Sequence, residues 1–308
     1  MLVKRIWLVV TTSLMLAVAA ATPLGAQQLE PRAYSPSPVG VNFLGIALAD
    51  SRGGVVFDPA LPFEDVHAHI NIGTPFYGRT FALFGRSASA SIAVPYAWGT
   101  ADGLVGEERQ SIRRSGFADP QLRLAVNLVG GPAMTPREFA TRVRRTTLGA
   151  SLVVSCPFGE YYPAKLVNLG ANRWAVKPEL GLSQPAGRWD LELYAGVWLF
   201  TENDDFYGGK HRAQDPLGAV QSHIVYTLRP GAWVAWNFTY YWGGATTLNG
   251  QHNNDRQGNT RTGLTLAIPV ARGQSIKLAW ANGVSTRIGS SFETFGVAWQ
   301  YLWLDRGK

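Results

Sequence analysis

The chain has 308 residues and a formal net charge of +7, and it is 46% hydrophobic but only 16% charged, where an ordinary soluble domain is about 25% charged. Part of its surface is therefore solvated by something other than water, yet beyond the first two dozen residues no apolar run approaches the roughly 18 positions of a membrane helix, which excludes a helical membrane protein. Its 34 glycines, 11 tryptophans, 11 tyrosines and 14 phenylalanines exclude a disordered chain and point to β-structure, and the single cysteine, Cys156, excludes an internal disulfide or a Cys-rich zinc site.

At the N-terminus, Lys4 and Arg5 precede an apolar stretch from Ile6 to Ala21, closed by small residues up to Ala26. This is the order of a secretory signal cut after Ala26, and about 16 apolar residues are too few for a retained anchor. Residues 27–65 carry Pro31, Pro36, Pro38, Pro59 and Pro62 and read either as a periplasmic lead-in or as a plug folded into a lumen.

From residue 66 onward the dominant period is two. Leu122, Leu124, Val126 and Leu128 alternate with Gln121, Arg123, Ala125 and Asn127; Leu264, Leu266 and Ile268 alternate with Gly263, Thr265 and Ala267. Phe295, Val297, Trp299, Tyr301 and Trp303 close the chain in the same rhythm. Approximate strands fall at 66–72, 77–84, 87–98, 120–128, 146–156, 173–182, 189–200, 218–228, 232–242, 260–268, 275–283 and 292–303. Several reach about ten residues, the length a bilayer asks of a tilted strand, against a mode of about five or six in globular sheets. Rings crowd the strand ends at Tyr96, Trp98, Trp174, Trp189, Tyr240 and Trp242, as at two membrane interfaces. A soluble sandwich also alternates but explains neither the strand length nor the ring placement.

The connections alternate as well. Segments 184–188, 229–231 and 269–274 are short, while 99–119, 157–172, 201–217 and 243–259 are long. This asymmetry predicts an all-β fold, an up-and-down antiparallel transmembrane barrel of about twelve strands within a range of ten to fourteen. It spans residues 66–303, with both termini on the short-turn side and a tail at 304–308. The connector 129–145 is long although it lies on the short-turn side, and its Thr135-Pro136-Arg137-Glu138 predicts a helix start.

Candidate chemistry outside the lumen is thin. Glu202, Asp204 and Asp205 are an acidic group that would suit Ca²⁺ but also suits a solvated loop, and His67 and His69 share one strand face, read as a polar pair toward the lumen. His223 lacks Ser and Asp partners for a triad, Gly40 and Gly45 lack the Lys-Ser/Thr of a phosphate loop, and Asn237-Phe238-Thr239 lies inside a strand. No cofactor is implied, and no basic stripe suits nucleic acid. The inward parity collects Arg123, Arg173, Lys177, Glu179, Asp190, Glu192, His223, Arg261 and Lys277, with the rings of Trp198, Phe200, Trp233 and Tyr241. Two readings of this set stand side by side. Either Arg173, Lys177, Glu179 and Glu192 satisfy one another and seal the lumen, or the charges and rings form a constriction that selects a small solute.

The motifs Val94-Pro95-Tyr96, Ser115-Gly116-Phe117-Ala118-Asp119-Pro120 and Cys156-Pro157-Phe158-Gly159-Glu160-Tyr161 resemble a known family, as do Asn168-Leu169-Gly170-Ala171-Asn172-Arg173-Trp174, Asn203 to Gly209, Gln214-Asp215-Pro216 and Tyr240 to Gly244. The chain is similar over residues 40–303 to the proteobacterial outer-membrane transporters of the meta-pathway of phenol degradation. The resemblance implies Sec export, assembly into the outer membrane by the barrel-folding machinery, and contact with bilayer and lipopolysaccharide. It also implies passage of small, hydrophobic or aromatic compounds. Against that reading stand a structural barrel with a sealed lumen and a barrel enzyme, for which no convincing catalytic set exists. Barrels of this kind usually end on an aromatic, whereas here Trp303 is followed by five further residues.

Overall fold

The computed structural model describes residues 30–56, 63–105 and 108–305; the expected leader, 1–26, and the last three residues lie outside these. Its strands are β1 (Val41–Val56), β2 (Phe63–Leu83), β3 (Arg86–Ala93), β4 (Tyr96–Val105), β5 (Glu108–Phe117), β6 (Gln121–Val129), β7 (Thr147–Ser155), β8 (Ala175–Ala186) and β9 (Trp189–Phe200). There follow β10 (Asn203–Phe206), β11 (Lys210–Gln214), β12 (Leu217–Arg229), β13 (Ala232–Gly243), β14 (Thr246–Leu248), β15 (Gln251–His252), β16 (Gln257–Ala271), β17 (Gln274–Ser285) and β18 (Gly289–Leu304).

β3 and β4 are collinear, as are β5 and β6, so the wall is a closed antiparallel barrel of twelve strands. Closure comes from β1, which pairs with β18 from Val41↔Leu304 to Val56↔Gly289 and with β2 from Asn42↔Arg79 to Gly54↔His67. Asp305 clamps the seam, accepting from Asn42 Nδ2 at 2.8 Å and pairing with Arg79 at 2.5 Å. Leu304 and Asp305, beyond Trp303, are thus part of barrel closure. At the short-turn end Phe84 and Gly85 both take positive φ, 48° and 74°, the two-residue turn whose twist suits a hairpin.

The outer face is apolar, with Leu44, Ile46, Leu48, Leu124, Leu152, Leu180, Leu193, Leu264 and Val297 exposed. Rings flank that band at both ends, Trp189 and Tyr301 toward the short turns and Trp98, Trp174 and Trp242 toward the long loops. An apolar belt between aromatic girdles is the surface of a barrel in a bilayer. Beyond the belt, β10, β11, β14 and β15 form a separate four-stranded sheet from the loops 201–217 and 243–259. On the opposite side the helix α1 (Pro136–Thr141) starts at Thr135, whose side chain accepts from Glu138 N while Glu138 returns a bond to the Thr135 backbone.

Two sequence expectations are corrected here. The barrel does not begin at residue 66 and end at 303: β1 lies within the stretch expected to precede it, and 66–72 and 77–84 are one strand, β2. The inner face of β1 is Gly45, Ala47 and Ala49, small apolar residues that blur a polar–apolar alternation, and Pro75 mimics a strand boundary inside β2. The count of twelve survives because one strand is gained and two merge. Likewise 99–119 is no loop but the hairpin of β4 and β5, which rises beyond the belt.

Pro75, Pro95 and Pro120 lie at one height on three adjacent wall strands, where β3 gives way to β4 and β5 to β6. Prolines cannot donate to the ladder. Above this level the outer edge of β5 pairs with no strand and is covered by segment 156–173, with Glu160 N–H donating to Phe117 O at 2.8 Å and Arg114 Nε to Val167 O at 3.0 Å.

The candidate transport lumen

Inward residues of β7, β8, β9, β12, β13 and β16 carry polar side chains because each strand alternates against its lipid face. They do not stand alone. The segment Glu30–Gly40 enters the barrel and sets Tyr34, 1% exposed, at its centre. The Tyr34 hydroxyl lies 2.8 Å from Ser151 Oγ and donates to Glu179 Oε1 at 2.9 Å. Glycines make room for the ring: a Cβ at Gly149 or Gly181 would lie 2.3 or 2.1 Å from it. Glu192 accepts from the Arg32 backbone N–H and from Tyr194 OH, each at 2.7 Å, and from Ser183 at 3.2 Å. Asp190 pairs with Arg144 and, at 3.7 Å, with Arg32. Glu30 lies in the field of Arg123, Lys177 and Lys277.

The structure turns every inward candidate toward the lumen but distributes them among different surroundings. Lys177 pairs with Glu179 at 2.9 Å and lies 5.6 Å from the Trp198 ring. Arg123 stands over Tyr34 at 5.3 Å, and His223 meets Asn237 Oδ1 at 2.8 Å through Nδ1 and the Tyr194 ring at 4.9 Å. Among the described residues the hydrogen-bond partner of that imidazole is an amide and not a carboxylate. Arg261 is buried and donates to Phe292 O and Thr294 Oγ1. Trp198 and Tyr241 pack with Val153, Ala175, Leu217, Ala219 and Phe200 into an apolar cluster on one side of the lumen, where open-path rings were expected. Arg173 joins neither Glu179 nor Glu192; its Nη2 donates to Gln214 and its plane covers Phe200 at 4.4 Å. The expected four-member charge network is therefore only the Lys177–Glu179 pair.

The opposite side is open. Inward Ala47, Ala279, Gly296 and Ala298 on β1, β17 and β18 are small, Ala279 and Lys277 are exposed to the lumen, and Gly45 is covered by the Phe76 ring. Lys277 Nζ lies 5.9 Å from the Trp233 ring, which Arg32 approaches from its own side at 5.7 Å. Sequence reasoning reads residues 27–65 as either a lead-in or a lumen plug but does not single out Glu30, Arg32 and Tyr34, because nothing local shows which side chains of a turn before the first strand will fill the barrel.

Two further placements differ from expectation. His67 and His69 point outward, since their neighbours Ala68 and Ile70 face the interior; His69 Nε2 meets Asp50 at 2.5 Å on the outer surface. In the loops, Glu202 and Asp204 gather around His211, at 2.8 and 3.3 Å, without Asp205. These three side chains are on the surface and already pair with one another.

Comparison with known proteins places this geometry. The sequence model of the family described as putative MetA-pathway of phenol degradation matches residues 49–301. An outer membrane channel from Pseudomonas putida F1, solved by crystallography, is similar with a TM-score of 0.76 and 19% identity, covering 90% of this chain and 100% of its own. The β-domain of the Bordetella autotransporter Brka is similar with a TM-score of 0.51 and 11% identity, covering 85% of this chain and 99% of its own. No curated protein matches the sequence.

Proposed function

Because the chain belongs to the family of the putative MetA-pathway of phenol degradation and folds as an outer-membrane β-barrel, we propose that it is a channel passing small aromatic or apolar solutes along the open side of its lumen. The observation that carries this reading is the asymmetry of the interior. A packed half, built on Tyr34, Glu179, Glu192 and Tyr194, faces the small residues Ala47, Ala279, Gly296 and Ala298 on β1, β17 and β18, which offer passage but no tight hold. A second exit, sideways through the wall, is supported by the level of Pro75, Pro95 and Pro120, which cannot donate to the ladder.

Liposome-swelling and conductance measurements on the purified barrel, with phenol-sized aromatic and matched polar solutes, test the proposal. Uptake of the aromatic panel above that of empty liposomes is expected. Swelling at the level of empty liposomes would leave a structural barrel with a sealed lumen.

Ion preference has its own expected result. Lys277 is exposed to the lumen, whereas Arg261 and Lys177 are tied to wall partners. Basic side chains along a pore select anions. Lys277→Gln is expected to lower the anion-to-cation permeability ratio by about twofold, and Lys177→Gln to change it far less. Reversal potentials in a salt gradient read this directly, and equal effects of the two would move the path to the β8 side.

A further inference from the structure

Near the long loops, a cavity of about 210 Å³ lies between the inner faces of β2 and β4 and segment 156–173. Its wall is apolar, with Ile70, Ile72, Ala97 and Ala101, while its polar side holds Arg114, Arg173 and Arg212 against one carboxylate, Asp119. Asp119 is already occupied, accepting from Gly159 N–H at 3.0 Å and Ala171 N–H at 2.9 Å. Arg114 is held by the carbonyls of Val167 and Arg113. Arg173 differs: it is 4% exposed, its Nη2 donates to Gln214, and its Nε and Nη1 have no partner.

A guanidinium buried this far with no acid bonded to it, Asp119 nearby being taken up by backbone N–H groups, carries a desolvation cost that an anion would relieve. The cavity decides the size of that anion. Benzene fits an apolar cavity of about 150 Å³, so this one admits a single ring bearing a small charged group. We propose that the cavity binds a single-ring aromatic carboxylate, the ring against the Ile70–Ile72–Ala97 wall and the carboxylate at the guanidinium of Arg173, which lines it. The proposal rests on the channel reading, since the site lies at the long-loop end where an incoming solute would first be held. It also gives a task to the sequence block Asn168–Trp174, which folds Ala171 onto Asp119 and leaves Arg173 facing the space.

Calorimetric titration of the full-length barrel in detergent with benzoate tests this, with acetate and benzyl alcohol as probes lacking the ring or the charge. Benzoate is expected to bind about tenfold or more tighter than either, and Arg173→Gln to lose about tenfold of that affinity, with Arg173→Lys in between because it keeps the charge but not the planar donors. If Arg173→Gln yields no heat-shifted barrel on gels, Ala101→Trp, which fills the cavity from the wall, is expected to abolish benzoate binding by itself. Benzoate bound no tighter than acetate means a general anion site and overturns the proposal. Equal binding of benzyl alcohol, or unchanged affinity in the variants, overturns it too. Titration needs no passage through the barrel. Benzoate binding without solute uptake therefore refutes the channel reading and keeps the site, and uptake of aromatics without benzoate binding does the reverse.

Discussion

Deletion of residues 30–36 is expected to raise single-channel conductance about threefold or more while leaving insertion intact, because in a barrel of about twelve strands a single ring occupies much of the cross-section. The deletion removes Tyr34 and Arg32, and with them the bonds to Ser151, Glu179 and Glu192. It spares Val39 and Gly40, whose N–H groups bond to Met134 and Thr80 and hold the entry into β1. The wall ladder runs from β1 through β18 without this segment, so the heat-dependent gel shift of a closed barrel is expected to persist. Gly181→Ala is a gentler version of the same experiment, since a Cβ there collides with the Tyr34 ring at 2.1 Å and must displace it. Planar-bilayer recordings decide. Unchanged conductance in a folded, shifted barrel would mean that the passage does not run past Tyr34, or that the wall side chains close it unaided.

The second large effect concerns the wall. Leu264→Arg is expected to cost about 2–4 kcal/mol of unfolding free energy in lipid, the depth-dependent penalty for a cation facing hydrocarbon. Leu264 is exposed on β16 between Trp236 and Trp280 of the neighbouring strands, in the middle of the apolar belt. Ala279→Arg, across the ladder on β17 but facing the open side of the lumen, is expected to cost less than about 1 kcal/mol. Thr265 and Ala125 share its inward parity but are poor comparators. Both are buried, and Thr265 Oγ1 accepts from Asn237 at 2.9 Å, so an Arg there would test packing. Equal penalties at 264 and 279 would contradict the assignment of the two faces.

Much of this was legible in the residues themselves. Alternation with period two, strands of about ten residues and rings at their ends are local properties, and a strand has only two faces, so parity alone turned Arg123, Lys177, Glu179, Glu192, His223, Arg261 and Lys277 toward the interior. The cap at Thr135 was legible for the same reason, since the atoms that make it lie within a few residues. Strand β1 was not, because its inward Gly45, Ala47 and Ala49 contrast too little with the outward Leu44, Ile46 and Leu48. His67 and His69 were placed on the wrong face because polar residues were taken to point inward, a rule that fails where a strand has left the hydrocarbon and both faces meet water or headgroups.

By itself, then, the sequence determined the barrel, its membrane belt and the inward set, because each follows from spacing along one strand. Only the tertiary structure decided which inward residues are locked and which face open space, because that depends on contacts between positions far apart in the chain. Tyr34 meets Glu179 across 145 residues and Arg32 meets Glu192 across 160. These contacts turn one half of the lumen into a packed polar core and leave Lys277 and small residues of β1, β17 and β18 facing the open lumen. The separation of Arg173 from the acids is of the same kind: its parity promised a pairing, but the rise of β4 and β5 beyond the belt and the fold of 156–173 over their edge put a cavity where the partner would have been.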